Sequence, residues 1–160
     1  LVVTGQLGGA AAGLALLAAG QTPANDTERA CVQAHVRPAA RLRTGKVVAA
    51  NRSASACMDV SDGLADAVRQ LCEASGCGAE IRVPQIPVHP GATGDQARAG
   101  GEDYELLFAV PRRRRRLFEA AVRQAGETFV TEIGACTKAT DILLVDQGGP
   151  SQLPEGFTHF

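Results

Sequence analysis

Two carboxylates and a hydroxyl fall close together in Asp59-Val60-Ser61-Asp62, followed by Gly63 and the apolar residues Leu64, Val68, Leu71 and Cys72 at helical spacing. The approach Ala56-Cys57-Met58 is apolar, and Gly76 stands where a C-terminal cap belongs. The pattern predicts a strand that ends where a helix begins. Asp59, Ser61 and Asp62 then sit at a helix N-terminus, where unpaired N–H groups and the macrodipole favour anions. A phosphate would be welcome there, held through Mg²⁺, a hard cation usually bound by one or two carboxylates plus phosphate oxygens. A plain helix cap uses the same residue types and accounts for Ser61 or Asp62, but it leaves Asp59 unexplained. Spacing alone leaves both readings open.

Gly100-Gly101-Glu102-Asp103 is a second acidic group, placed before the clearest strand, residues 103–110. There Tyr104, Leu106, Phe108 and Val110 alternate with Glu105, Leu107 and Ala109 until Pro111 stops the run. By pattern this is either a turn with solvated acids or a site. Gly5-Gln6-Leu7-Gly8-Gly9 is a third candidate, between a β-type run at 1–4 and an Ala/Leu-rich helix at 10–19. Strand, glycine turn and helix is the plan of an anion-binding loop, and equally of a flexible connection with close packing behind it.

The elements that must position these groups follow from the remaining punctuation. Asp26 or Thr27 can cap a helix through about Ala34, ended by Pro38, and residues 43–51 read as another short helix. Residues 79–83 read as a strand, and Pro84, Pro87, Pro90, Gly91 and Gly94 mark a long irregular loop. Residues 112–116 are five arginines that open an amphipathic helix with Leu117, Phe118, Ala121 and Val122 on one side. Two β-type segments, 128–133 and 141–145, are separated by a turn containing Gly134, and the aromatic tail 154–160 reads as a C-terminal anchor. Four or five strands and four helices without regular alternation predict an α/β (α+β) sandwich, a mixed β-sheet covered by helices.

Length and composition bound the rest. The 160 residues, 45% of them hydrophobic, suffice for one domain with a real core. Sixteen basic against 17 acidic residues leave a net charge of −1, so no global field recruits nucleic acid or an anionic membrane. The five arginines splay around a first helical turn, and Arg37, Arg41 and Arg43 read as a solvated face. The apolar stretch 14–19 is too short to span a bilayer and lacks the basic flank of a signal peptide, so a soluble, cytoplasmic protein is expected. Cys31, Cys57, Cys72, Cys77 and Cys136 contain no C-x-x-C pair and read as small core hydrophobes, Cys72 on its helix face included. The chain opens in a strand without an initiator methionine, which reads as part of a longer protein.

Three separated stretches, Met58-Asp59-Val60-Ser61-Asp62-Gly63-Leu64, Gly100-Gly101-Glu102-Asp103-Tyr104-Glu105-Leu106-Leu107-Phe108 and Gly156-Phe157-Thr158-His159-Phe160, resemble the thiamine-monophosphate kinase family. The stretch from Thr4 to Leu14 and His35-Val36-Arg37-Pro38 are similar to two more of its motifs, in the same order. The resemblance implies the superfamily of aminoimidazole-ribonucleotide and selenophosphate synthetases. It also implies that residues 1–20 lead from an N-terminal ATP-binding domain, with 21–160 the C-terminal α/β domain. By position, Asp59 and Asp62 would be magnesium ligands, Ser61, Gly8 and Arg37 ATP contacts, and Glu102 and Phe157 contacts to the thiamine end of the substrate. No residue would act by covalent or acid–base catalysis. The implied reaction moves the ATP γ-phosphoryl to thiamine monophosphate in a homodimer of the full-length protein. One departure is Gly9, where the family carries an Asp that helps to bind magnesium. The alternatives are a non-catalytic nucleotide-binding or dimerisation module, and another synthetase of the superfamily.

Overall fold

A computed structural model describes residues 1–153 of the chain. The apolar run after Tyr104 becomes β4 (Glu105–Ala109), with Leu107 and Ala109 in one core and Leu106 and Phe108 in the other. Burial on both faces is why this strand is nearly continuous in apolar residues. It lies between β1 (Val2–Thr4) and β2 (Ala56–Val60), and β5 (Val130–Glu132) closes the far edge in an antiparallel sheet ordered β2-β4-β1-β5. In register, Asp59 stands opposite Leu106, and Val60 opposite Glu105.

One face of this sheet is covered by α3 (Leu42–Ala50) and α6 (Arg115–Ala125), with Phe108 and Phe118 edge to face, ring centroids 5.2 Å apart. Burying each ring is worth about 1.5–3 kcal/mol. On the other face, Val3, Val60 and Leu107 share a core with Leu64, Val68, Leu71 and Cys72 of α4 (Leu64–Ser75). A second sheet joins the same core through Ala79 and Ile81 of β3 (Gly78–Arg82) and Leu144 of β7 (Ile142–Asp146). Its order is β6-β3-β7-β8, with β6 (Gly134–Thr137), β8 (Gly149–Gln152) and a parallel β3–β7 pair among antiparallel neighbours. α1 (Gly9–Ala18) and α2 (Asp26–Val36) pack as a pair, and α5 (Gly94–Ala99) bridges α1 and α4.

The α/β class and its mixed strand order are those expected, but the strands divide between two sheets. Gly134 opens β6 instead of a turn, because pairing with Ile81 carries the chain directly from the first sheet to the second. The irregular loop after Pro84 is shorter than expected: Thr93 and Gln96 form a capping box that starts α5. α2 is capped by Asn25, whose Oδ1 accepts the Glu28 N–H at 2.9 Å, and not by Asp26 or Thr27. Asp103 and Tyr104 fall outside β4, for reasons that belong to the site. The Gly76 cap at the end of α4 is left-handed, as the spacing predicts.

Candidate functional site

The three motifs, far apart in sequence, meet at one end of the antiparallel sheet. β2 delivers Asp59 and Val60 to that end, and the loop to α4 carries Ser61 and Asp62. The loop before β4 is laced to it: the Glu102 N–H donates to the Ser61 carbonyl at 2.5 Å and the Tyr104 N–H to the Val60 carbonyl at 3.0 Å. Asp103 between them accepts the Gly8 N–H at 2.6 Å and the Ala10 N–H at 3.2 Å, so the third motif, the glycine turn, is tied in as well.

This lacing forces the backbone. Glu102 (φ 70) and Tyr104 (φ 52) both adopt the left-handed region, at a cost of order 1–3 kcal/mol each for residues with side chains. That conformation ends strand pairing before Glu105 and turns Asp103 toward α1. Strain of this kind is found where surrounding contacts over-determine a loop, and such loops cluster at functional sites.

Two carboxylates missed as structural acids hold the arrangement. Asp103 has its carboxyl pushed up to about 6 by burial, against which the Gly8 and Ala10 N–H groups pull it down. Glu105 is 4% exposed and is gripped by Arg41, Nε at 2.8 Å and Nη2 at 2.6 Å, while the Thr4 hydroxyl donates to Oε2 at 2.5 Å. The Glu105 hydrogen bonds raise the Arg41 guanidinium above its ordinary value. Thr4 Oγ1 in turn accepts the Leu106 N–H at 2.8 Å. Gly5 (φ 56) lies so close that a Cβ there would stand 2.0 Å from Glu105 Oε1, so only glycine passes the clamp. Arg41 is therefore not part of a solvated face, because it neutralises a buried acid. The only sequence signal for this network was a Glu at the inward end of an apolar strand.

The site candidates divide in three. Asp59 is exposed on an edge strand, and Asp62 is partly buried at the mouth of α4. The N-cap of α4 is Gly63, which has no side chain, so the cap alternative for Ser61 and Asp62 does not describe this helix start. Glu102 Oε2 stands 2.9 Å from His35 Nδ1 of α2, close enough for an ion pair but not aligned as a hydrogen bond. Arg37 lies apart from them, at the end of α2, lining a cleft of about 340 Å³ with Gln6, Arg41, His89 and Asp103. Gly8 makes the turn into α1, but its N–H, the group a phosphate would use, is committed to Asp103. At Gly9 a Cβ would come within 3.1 Å of the His89 ring, so any side chain there would require that ring to shift by a few tenths of an ångström. Phe157 lies outside the described residues. A larger cleft of about 490 Å³, lined by Arg82, Arg112, Arg115 and Cys136, contains none of the candidates.

Among the described residues no three His, Cys, Asp or Glu side chains are gathered to hold a metal ion. A pair such as Asp59 and Asp62 fits Mg²⁺ completed by phosphate oxygens and water, and does not fit an all-protein cage.

An antiparallel sheet covered by helices, joined to a second, mixed sheet, with acidic loops gathered at one sheet end, defines a two-sheet α/β class. The family of AIR synthase related proteins, C-terminal domain, matches residues 1–146, and the chain belongs to it. Within that family its curated relatives include the thiamine-monophosphate kinases of Salmonella typhimurium, 36% identical over 100% of this chain and 52% of that protein, and of Halobacterium salinarum, 39% identical over 99% and 52%. A solved structure of AaThiL complexed with AMPPCP and TMP superposes with a TM-score of 0.81 at 31% identity, covering 99% of this chain and 50% of that one. E. coli HypE shares the fold, with a TM-score of 0.73 at 20% identity. The chain spans about half the length of the relatives it matches. No described helix is long and apolar enough to cross a membrane.

Proposed function

We propose that this chain serves as the C-terminal half of an ATP-dependent thiamine-monophosphate kinase. Residues 1–20 lead from an N-terminal ATP-binding half and 21–160 form the C-terminal domain. The observation that carries the reading is the convergence of the Asp59–Asp62 loop, the strained Glu102–Tyr104 loop and the glycine turn at one sheet end. The kinase relatives and the likeness to AaThiL with AMPPCP and TMP support it.

Phosphoryl transfer asks a protein for alignment and charge neutralisation more than for covalent help. Mg²⁺, when bound, supplies that neutralisation. Asp59 and Asp62 would hold it, and Ser61 would donate a hydrogen bond to an ATP phosphate. Arg37 offers a guanidinium to a phosphate from the cleft, and Gly8 contributes the turn that brings α1 close. Glu102, braced by Ser61 and beside His35, would accept the cationic end of thiamine monophosphate, and Phe157 would offer a ring face. The reaction joins the ATP γ-phosphoryl to thiamine monophosphate, giving thiamine diphosphate and ADP. A cytoplasmic homodimer, assembled through the full-length protein and independent of nucleic acid and membrane, completes the reading.

The test uses the protein with its N-terminal half present. Glu102→Gln and Phe157→Ala are expected to raise the KM for thiamine monophosphate several-fold, consistent with about 0.5–2 kcal/mol for a cation–π contact, and to leave the KM for ATP nearly unchanged. Equal weakening toward both substrates would assign these residues to the scaffold.

A further inference from the structure

Three of the five cysteines meet where α4 ends and the second sheet begins, a place the kinase reading does not use. Cys72 is buried in the last turn of α4, and Cys77 follows the Gly76 cap with its N–H donating to the Cys72 carbonyl at 3.1 Å. Cys136 lies on β6 opposite Ala79 of β3, two residues beyond Cys77. Cys77 thereby stands one diagonal step from Cys136 across the β3–β6 pair, within reach of its side chain. The Cys72 and Cys136 thiols are both pushed up, first by burial and then by the neighbouring Cys77. Exposure is graded across the three: Cys136 exposed, Cys77 half-buried and Cys72 buried. The cluster is not a metal site, since among the described residues no three such ligands are placed to hold an ion.

We propose that Cys77 and Cys136 form a reversible disulfide when the protein meets a peroxide, with Cys72 kept back as a buried thiol. Cys136 opens onto the larger cleft and is the sulfur a small oxidant reaches first. Its sulfur attacks one peroxide oxygen, breaking the O–O bond, and gives a sulfenic acid and water. The Cys77 sulfur then attacks the sulfenic sulfur; the S–S bond forms as the S–O bond breaks, and a second water leaves. Two thiols and one hydrogen peroxide thus become one disulfide and two waters. Burial, and after it the neighbouring Cys77, pushes the Cys72 thiol up to about 12, so it stays protonated and unreactive at neutral pH. Burial raises Cys136 as well, so excess oxidant is needed.

The bridge would staple β6 to the end of α4 and close the long segment between residues 77 and 136, which restricts the unfolded chain. To test it, the reduced protein is treated with excess hydrogen peroxide, quenched with iodoacetamide, and cut with trypsin and a Glu-specific protease. Cleavage at Glu73 separates Cys72 from Cys77. The expected product joins fragment 74–80 to fragment 133–138 within one chain, is released by dithiothreitol, and accompanies a rise in Tm that reductant reverses. Cys136→Ser, at an exposed position, abolishes both the link and the shift, whereas Cys72→Ala keeps the link. Recovery of Cys77 and Cys136 as free alkylated thiols, a Cys72–Cys77 link, or a link between two chains would overturn the assignment. These outcomes do not depend on kinase activity.

Discussion

Four of the acids at the site end of the sheet fall into two sets that look alike in sequence and differ in three dimensions. Asp103 and Glu105 are turned inward and fully occupied, one by the Gly8 and Ala10 N–H groups and the other by Arg41 and Thr4. Asp59 and Glu102 are turned outward, Asp59 exposed on the edge strand and Glu102 braced through its backbone with its carboxylate beside His35. A buried carboxylate must have partners, because desolvation otherwise costs several kcal/mol, so the inward set pays for the strained loop that displays the outward set. Residue type does not separate scaffold from site here; saturation by protein partners does.

The comparison breaks most visibly at the clamp. Glu105→Ala leaves Arg41 and Thr4 facing a vacated buried site and is expected to cost about 3–5 kcal/mol in urea unfolding. A loss below about 1 kcal/mol would mean the clamp behaves as a solvated pair. On the outward side, Asp59→Asn in the protein with its N-terminal half is expected to lower kcat by about 10²–10³-fold, by analogy with deleting one electrostatic group from a charged transition state. Its unfolding free energy should stay within about 0.5 kcal/mol of the parent, as for an exposed position. An intact rate with altered stability would move Asp59 to the inward set.

Asp103→Asn should cost about 1–3 kcal/mol, because an amide cannot present two acceptor oxygens to Gly8 and Ala10. Its cost should also depend on pH in a particular direction. The folded carboxyl sits at about 6 against an ordinary 3.8, so the folded state binds more protons between those values. Stability from this group is therefore present below about 4 and lost as pH rises through about 6. The penalty of Asp103→Asn should be larger at pH 4 than at pH 7 in paired denaturant melts, and a penalty that grows with pH would contradict the burial-driven shift. The smallest effect is expected at Ser61→Ala, a loss of about 0.5–1.5 kcal/mol in transition-state binding for one neutral hydrogen bond. Measured as kcat/KM for ATP, it should be well below that of Asp59→Asn.

Local pattern was sufficient where a segment carries its own period and punctuation. The spacing from Leu64 to Cys72 with Gly76 beyond it specifies α4 to its left-handed cap, and the alternating run through Phe108 up to Pro111 specifies a strand, whose burial on both faces the packing then supplies. The motif types around Asp59 and Glu102, and the family they resemble, were legible for the same reason: they are short, contiguous and ordered. The division of strands between two sheets was not, because Gly134 has no local preference for β6 and acquires its place by pairing with Ile81. Nor was the role of Arg41, one of three arginines spaced like a solvated face, until β4 brought Glu105 to it from 64 residues away. Sequence determines which groups a chain can offer. Which acids are consumed by the fold and which remain facing outward is decided only when distant segments meet, because a carboxylate's partners and its desolvation are properties of the packed structure.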